Sequence, residues 1–452
     1  MFEDSLHRLP ETKQSKYGIM YLVKVGHTYV NLSAKGVSVS NEGSKYEPKE
    51  FNAVLSRMVT ARANRNHPIY RWFVYPHSFT REFVHWAIDE IRISKEAVIA
   101  DPFLGAGTTL LACKDLGISA TGFDILPLSI LVSNVKASNY RLQTLKKLWS
   151  SLKKDGWANC PVNKVPDIPI LSKAFDSEVL SRVLSIRHRL RRVGNKKYAS
   201  FFLVGLLSIV GHVSKTEKGG GWLRLRPEKV VSAEEVDSLF MNATEAMLVD
   251  LEQSPKLRLT KGNWQACLAD ARALPGTQEF DAIISSPPYL NRHDYTRIFS
   301  LELSLAFLRN HQELKNLRYR SLRSNVEAKK TYPADGYRIP FTLLPVLDAL
   351  QKAPLNNDRL LTMITGYFED LFCTLKSLYP RVKKDGYVIF VLGNVRFAGV
   401  MIPVDEIIAE IGEQVGFEWQ KTVIARFRGN SAQQMGIFGK ELSRESVIIW
   451  RK

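Results

Sequence analysis

The residues with the clearest capacity for chemistry are three aspartates and two glycines that follow predicted strands. Asp101, Asp124 and Asp270 each come at the end of a short apolar stretch, and Gly105 and Gly107 lie in the turn after Asp101. Because ligands of open α/β sheets bind where parallel strands end, we expect these residues to share one site. Glycines there allow the backbone to approach a ligand closely.

The glycine spacing excludes two phosphate-binding loops and favours a ligand without phosphates. A dinucleotide fingerprint needs a third glycine where Leu110 stands, and no Gly-Lys-Ser/Thr sequence follows. Asp124 is placed to accept hydrogen bonds from two ribose hydroxyls, and Asp270 to accept one from an adenine amino group. Together they indicate an adenosyl ligand with a sulfonium and an amino acid tail. The alternative is that Asp101 caps a helix and the glycines form an ordinary tight turn.

Strands that alternate with helices are predicted to position these residues, which indicates a doubly wound, mainly parallel α/β sheet. Strands are predicted at 97–100, 119–123, 280–285 and 387–392. Helices are predicted at 79–91, 110–116, 361–378 and 404–415. The last two strands, 417–427 and 446–450, are expected to form an antiparallel hairpin at the sheet edge.

Two basic stretches interrupt this alternation, and they divide the chain. Residues 141–255 are mainly helical in pattern, and 306–360 form a second break. The sheet-forming parts are predicted at 61–140, which holds the cofactor motif, at 256–305 and at 361–452. Residues 1–60 are interpreted as an extension to which the sequence assigns no role.

The charge balance allows two interpretations. The 452 residues carry a net charge of +18, with 45% hydrophobic and 24% charged residues, as in an ordinary globular protein. An excess of positive charge attracts polyanions, which favours a nucleic-acid partner. The alternative is a basic, solvated surface.

Several classes of protein are not expected. There is no apolar stretch of membrane-spanning length, and residues 1–10 lack the apolar core of a secretory signal. The four cysteines are far apart without a CxxC pair, which predicts no zinc site or disulfide framework and a reducing, cytoplasmic environment. We therefore expect neither a metal nor a membrane partner.

Two motifs resemble those of the amino-methyltransferases of DNA bases. The first is Asp101-Pro102-Phe103-Leu104-Gly105-Ala106-Gly107-Thr108, and the second is the catalytic motif Ser286-Pro287-Pro288-Tyr289. The segment 67–79 is similar to the one that packs over the cofactor's methionine portion in these enzymes. The resemblance covers 61–140 and 261–305, and more loosely 361–452.

The resemblance implies a Rossmann-like class I methyltransferase fold with a seven-stranded sheet, and S-adenosylmethionine as cofactor. Its expected binding residues are Phe79, Asp101, Phe103, Gly105, Gly107, Thr108, Asp124 and Asp270. DNA is the implied partner, together with a cognate restriction endonuclease or another component of a defence system.

The catalytic motif suits methylation of an exocyclic amine. That nitrogen is a poor nucleophile because its lone pair is delocalised into the ring, so acceptors must hold its hydrogens. The Ser286 hydroxyl and the Pro287 carbonyl are candidates; Pro287 and Pro288 stiffen the backbone, and Tyr289 offers a face for a flipped base. The alternative is a proline-stiffened strand exit with a core tyrosine.

The base and the type of nucleic acid are less closely specified. Serine at the first motif position resembles N4-cytosine enzymes, and N6-adenine methylation is the alternative. Carbon-5 methylation needs a cysteine beside a proline in the catalytic loop; Cys160-Pro161 lies outside that loop. An RNA base methyltransferase and a catalytically silent nucleic-acid-binding protein also stay open.

Target recognition is expected in 141–255 or 306–360, because sequence selectivity needs side chains that reach base edges. The arginines proposed to contact nucleic acid are Arg224, Arg226, Arg292 and Arg320. Asn291, Asp294, Tyr295 and Arg297 either position the base or cap a helix that begins near Tyr295. For any single arginine, a solvated charged face is the alternative.

Overall fold

The computed structural model describes residues 21–25, 28–33, 36–40, 44–75, 77–154, 156–157, 165–219, 221–429 and 432–452. The predictions about residues 1–10 and about Cys160-Pro161 fall outside these residues. In chain order the strands are β1 (Tyr21–Val25), β2 (Thr28–Ser33), β3 (Gly36–Ser40), β4 (Glu50–Phe51), β5 (Val98–Asp101), β6 (Ser119–Asp124), β7 (Thr216–Gly219), β8 (Trp222–Leu225), β9 (Trp264–Leu268), β10 (Phe280–Ser285), β11 (Val382–Gly393), β12 (Val395–Phe397), β13 (Val400–Ile402), β14 (Glu418–Gly429) and β15 (Leu442–Arg451).

The helices include all those that the apolar spacing predicts. They are α1 (Leu55–Met58), α2 (Arg81–Glu90), α3 (Thr108–Leu116), α4 (Pro127–Ala137), α5 (Leu142–Lys154), α6 (Pro169–Ala174), α7 (Ser177–Arg191), α8 (Lys196–Val213), α9 (Ala233–Gln253), α10 (Pro255–Leu259), α11 (Tyr295–Ile298), α12 (Ser300–Ala306), α13 (His311–Tyr319), α14 (Leu344–Lys352), α15 (Leu360–Leu378), α16 (Val404–Val415) and α17 (Ala432–Phe438).

The central sheet confirms the predicted α/β class. Within the described residues it has eight strands in the order β4-β14-β15-β11-β10-β5-β6-β9. Strand β15 is antiparallel to both of its neighbours, and the other strands run in one direction. The carboxyl ends of β5, β6, β9 and β10 therefore meet at one edge, where the acidic residues were expected.

The last strand does not lie at the sheet edge as predicted. It pairs with β11 over Tyr387–Gly393 and with β14 over Glu418–Gly429, so it is an interior strand. Its residues Val447, Ile448, Ile449 and Trp450 are all buried, which is typical of a strand covered on both faces. Among the described residues, the edge on this side is the two-residue strand β4, which pairs with β14 and is the eighth strand. A strand of two residues has no periodicity that a sequence could show.

Three buried clusters account for the layers. On one face, α2 and α3 pack against alternate sheet residues such as Ile389 and Val391. On the other face, α15 and α16 pack against Val388 and Phe390. The third cluster joins helices α5 to α9 to α4 and α12. The helical part is thus packed against the sheet through α4 and α12, and it does not form a separate unit.

Candidate active site

Asp101 holds two strand ends together. Its carboxylate accepts hydrogen bonds from the Phe103 amide (3.1 Å), Thr109 Oγ1 (2.6 Å) and Ser285 Oγ (2.6 Å). Burial raises the pKa of Asp101 to about 6, while these hydrogen bonds act in the opposite direction. Because Ser285 immediately precedes Ser286, this buried carboxylate links the glycine turn to the 286–289 motif.

The two glycines of this turn have different surroundings. Both have positive φ, +53° at Gly105 and +79° at Gly107, a region that disfavours other residues. Gly105 lines the cleft at the strand ends. At Gly107 a Cβ would lie 2.5 Å from Ser133 Oγ, so this position serves the close packing of α3 against α4. Only the first glycine therefore brings the backbone to the cleft.

Asp124 faces the cleft from the end of β6. Its two oxygens accept hydrogen bonds from the Gly105 amide (3.0 Å) and the Leu126 amide (2.8 Å), one each. The Ser129 hydroxyl and the Ile125 amide also form hydrogen bonds that favour the carboxylate, so a ribose hydroxyl would share an oxygen with these donors or replace one. Burial raises the pKa of Asp124 to about 6, against the effect of all these hydrogen bonds.

Asp270 belongs to a buried ion-pair network that the sequence did not indicate. Its oxygens accept from the Arg272 amide and guanidinium (2.9 to 3.1 Å) and from Tyr332 Oη (2.9 Å). Arg272 also donates to Asp370 Oδ2 (2.8 Å), and Asp370 binds Arg323 through Nη2 (2.7 Å). The four acceptor positions of Asp270 are thereby used within the protein. It borders the cleft, and an adenine amino group would have to replace one of these donors.

A single cleft at the strand ends brings together six of the predicted site residues. They are Phe103, Gly105, Asp124, Asp270, Ser286 and Pro288, and Arg320 lines the same cleft. Asp101, Gly107 and Thr108 support the turn from within the core. Pro287 is buried beside the cleft.

Phe79 packs into the core, and two residues before it line the cleft instead. The Phe79 ring lies 5.0 Å from that of Phe83, whereas Tyr75 and His77 line the cleft. Lys136 holds this segment through hydrogen bonds from its Nζ to the carbonyls of Tyr70 (3.0 Å) and Phe73 (2.7 Å). Burial lowers the pKa of Lys136 to about 7. The aromatic spacing gave no signal that separated Phe79 from Tyr75.

Tyr289 lines neither cleft and packs, partly buried, against the core cluster that includes Phe390 and Leu392. Its hydroxyl donates to Glu445 Oε1 (2.5 Å), and the Arg428 guanidinium lies 5.6 Å from the ring centroid. A Cβ at Gly393 would lie 3.1 Å from the ring, so the absence of a side chain there leaves room for the ring. Burial and Glu445 raise the pKa of Tyr289 well above its usual value, with a hydrogen bond from Ser286 acting against them.

Comparisons with known proteins identify the family of this chain. A family described as DNA methylase matches residues 12–130. The Type II methyltransferase M.BsoBI of Geobacillus stearothermophilus is 30% identical over 90% of this chain and 89% of its own length. The Type II methyltransferase M.AvaI of Anabaena variabilis is 31% identical over 88% of this chain and 89% of its own length. The Type II methyltransferase M.MvaI of Kocuria varians is 22% identical over 76% of this chain and 80% of its own length. The chain belongs to the DNA amino-methyltransferases of restriction–modification type.

A second cleft of this methyltransferase adjoins the first and is larger, with a volume of about 760 Å³ against about 100 Å³. His293 and Asn325 line both clefts, so the two adjoin at these residues. Asn291, Arg292, Asp294 and Arg297 line the second cleft. Asp294 also caps α11 by accepting from the Thr296 amide (2.9 Å), which confirms the capping alternative for that residue.

The four arginines proposed to contact nucleic acid differ in whether they are already paired. Arg226 forms an ion pair with Glu217 (2.6 Å). For Arg224, Arg292 and Arg320, the described residues provide no side-chain hydrogen bond or salt bridge. Arg292 has a φ of +66°, and its amide donates to the Ser324 carbonyl (3.0 Å) at the second cleft. In the methyltransferase, the guanidinium groups of Arg224, Arg292 and Arg320 are therefore available to a ligand.

Many of the other basic residues are used inside the fold. Arg318 pairs with Asp294, Arg323 with Asp370, and Arg182 with Asp237. Among the described residues of the methyltransferase, no group of three or more His, Cys, Asp or Glu side chains is arranged to hold a metal ion. No helix in the described part is long and apolar enough to cross a membrane.

Proposed function

We propose that this methyltransferase transfers a methyl group from S-adenosylmethionine to the N4 amine of cytosine in DNA. The observation that carries the proposal is the position of Ser286, which shares one cleft with Asp124 and Gly105. The glycine turn and the catalytic motif thus lie at one site, although about 180 residues separate them in the chain.

The cleft residues fit an adenosyl sulfonium. Asp124 lines the cleft, where its oxygens would accept from the ribose in exchange for a donor such as the Ser129 hydroxyl, and Gly105 leaves the approach open. Phe103, Tyr75 and Tyr295 provide apolar and aromatic surface, which also attracts a cation. When bound, the cofactor supplies an electrophilic methyl group. Asp270 and Arg272 stiffen the wall on the far side, and we propose that Asp270 contacts the adenine only by exchanging the hydrogen bond from Tyr332.

The catalytic motif supplies the orientation of the amine. We assign Ser286 Oγ and the Pro287 carbonyl to accept the two amino hydrogens, which directs the nitrogen lone pair toward the methyl group. The Asp101–Ser285 hydrogen bond (2.6 Å) fixes the residue just before the motif. We further assign Tyr289 to stack on the flipped base, with its hydroxyl held by Glu445.

We assign target recognition to those parts of the two insertions that line the second cleft. The hairpin of β7 and β8, within 141–255, contributes Gly221 and Trp222 to the second cleft, and 306–360 contributes Asn325 and Leu355. Both stretches therefore border the path by which DNA reaches Ser286. We propose DNA and a cognate restriction endonuclease as partners in a cytoplasmic restriction–modification system.

The test is nucleoside mass spectrometry of DNA from cells that express the protein, beside Ser286→Ala. Ser172→Ala is a matched control, because Ser172 is exposed on α6 and its hydroxyl bonds only locally, to the Pro169 carbonyl. We expect N4-methylcytosine with wild type and Ser172→Ala and a loss of at least about 100-fold with Ser286→Ala.

Each other outcome has a definite meaning. N6-methyladenine in place of N4-methylcytosine would contradict the assigned base and keep the reaction class. Full activity of Ser286→Ala would remove Ser286 from the catalytic site. If the DNA carries no methylated amine, the proposed function is wrong.

A further inference from the structure

The hairpin formed by β7 and β8 ends beside the catalytic loop. A Cβ at Gly221 would lie 2.4 Å from His293 Cδ2, so glycine permits direct contact between the hairpin and His293. His293 comes seven residues after Ser286 and lines the same cleft. Strand β8 also packs against α11, which begins two residues after His293. The residue after Gly221 is therefore at the mouth of the active site.

That residue, Trp222, presents most of its side chain to solvent. It is 56% exposed and lines the second cleft together with Arg292 and Arg428. Leu223 packs against the helical core, so its neighbours Trp222 and Arg224 lie on the opposite face of the strand. This face carries an indole and, two residues away, a guanidinium without a salt bridge among the described residues. An exposed tryptophan beside a cationic group is suited to a partner with flat apolar surfaces and negative charge.

The other aromatic side chains near the mouth are already engaged. The Tyr289 hydroxyl is bonded to Glu445 (2.5 Å), and the Tyr295 ring is stacked on Tyr75 with centroids 6.4 Å apart. Among the described residues, Trp222 has no hydrogen bond or ring contact; its indole Nε1 lies against Gly219, its cross-strand neighbour, where a Cβ would be 3.6 Å away. Glycine at this position leaves the indole without a side chain opposite it on the hairpin.

Methylation inside a duplex requires that the target base leave the helix. Extrusion leaves a gap in the base stack, and its cost of a few kcal/mol falls when an inserted side chain restores stacking. An indole is the protein side chain closest to a base in size and flatness, and base–aromatic stacking is worth about 1–3 kcal/mol. A guanidinium two residues along the strand would lie near the adjacent backbone phosphate.

We propose that Trp222 enters the duplex and occupies the space that the target base vacates, while Arg224 contacts the neighbouring phosphate. This inference rests on the proposed function and adds a residue to it that does not touch the cofactor. Trp222 acts before methyl transfer, by stabilising the extruded state, and is therefore a positioning residue.

The test compares Trp222→Ala and Trp222→Phe with wild type on two duplexes. Both duplexes contain the recognition sequence, which is mapped from the methylated positions in DNA of cells that express the protein. In one duplex the target base is paired, and in the other it faces a non-complementary base. Single-turnover rates report methyl transfer, and 2-aminopurine at the target position reports extrusion. Phe341→Ala is the matched control, because Phe341 is an aromatic residue that is 83% exposed and lines neither cleft.

We expect Trp222→Ala to slow methylation of the paired duplex by about tenfold or more, and to lower the 2-aminopurine signal. On the mismatched duplex, where extrusion costs less, the loss should shrink to about threefold or less. Trp222→Phe should lie between wild type and Trp222→Ala, and Phe341→Ala should match wild type on both.

Two results would overturn the inference. One is an unchanged rate for Trp222→Ala on the paired duplex, and the other is an equal loss on both duplexes. Thermal unfolding of each variant identifies a folding defect, for which Trp222→Phe is the milder change. A wild-type protein that methylates neither duplex would instead contradict the proposed function, so the two failures are distinguishable.

Discussion

Burial raises the pKa of Asp124 to about 6, although the Gly105 and Leu126 amides favour its charged form. A carboxyl group with a raised pKa stabilises the fold fully below its unfolded pKa of about 4, and this contribution is lost as the pH rises through about 6. In the proposed function, by contrast, the ribose hydroxyls of the cofactor need this carboxylate as an acceptor. Folding and cofactor binding therefore place opposite demands on the protonation of this residue.

Cofactor affinity is expected to depend on the ionisation of Asp124. Calorimetry with S-adenosylmethionine should show constant affinity above pH 7 and a fall that approaches tenfold per pH unit well below about pH 6. Asp124→Asn should bind more weakly and show no such fall. If Asp124→Asn keeps the same pH profile, the titrating group is another one, of which Asp101, with its pKa also near 6, is the nearest candidate.

At the scale of elements, one buried carboxylate joins three parts of the chain. Asp370 on α15 accepts from Arg272, which follows β9, and from Arg323, which follows α13. Asp370 is fully buried, and Arg272 and Arg323 are 5% and 9% exposed. Removing one member of such a network leaves buried charges with fewer partners, which is costly away from water. The wall of the cofactor cleft near Asp270 therefore depends on α15.

Asp370→Ala is expected to lower the free energy of unfolding by about 1.5–3 kcal/mol, because Arg272 and Arg323 each lose one of two carboxylate partners and keep Asp270 and Glu369, respectively. Denaturant titration measures this change. The control is Asp348→Ala, which removes an exposed ion pair with Lys352 on α14 and should change the same quantity by less than about 1 kcal/mol. Similar losses for the two variants would show that the network contributes no more than a surface pair.

For the whole molecule, the net charge of +18 overstates how many basic side chains are free to contact DNA. Of the 63 lysines and arginines, several of the most clustered are paired inside the fold, including Arg272, Arg318 and Arg323. Within the described part of the chain, Arg292 on the second cleft and Arg320 on the first form no side-chain hydrogen bond or salt bridge, and Arg224 has none but lies opposite Glu217 in the hairpin. DNA affinity should accordingly depend on a few positions at the cleft mouth.

Salt dependence distinguishes paired from unpaired arginines. The slope of log K for DNA binding against log salt concentration should become shallower by about 0.9 in Arg292→Gln, because one phosphate contact is lost. Arg226→Gln is the control, since Arg226 is paired with Glu217, and its slope should stay as in wild type. Fluorescence anisotropy with a duplex oligonucleotide at several salt concentrations gives both slopes. An unchanged slope in Arg292→Gln would exclude a phosphate contact at that residue.

Local sequence was sufficient for most elements and for the order of the site. Strand Phe280–Ser285 and helix Val404–Val415 have the predicted bounds, because apolar periodicity and the flanking prolines and glycines are local signals. The ends of β5, β6 and β10 follow from the same patterns, and parallel pairing then brings Gly105, Asp124 and Ser286 together.

Only the tertiary structure decided which of these residues face the cleft and which basic groups are free. Asp101 and Asp124 both end a strand, yet the first binds Ser285 in the core and the second faces the ligand site. Arg323 and Arg292 both lie in basic, irregular sequence, but Asp370, 47 residues further on, neutralises only Arg323. The position of β15 between β11 and β14 likewise depends on pairing with strands that are not all its neighbours in sequence. Periodicity determines whether a residue is buried in its own element, whereas pairing depends on residues that are adjacent only after folding.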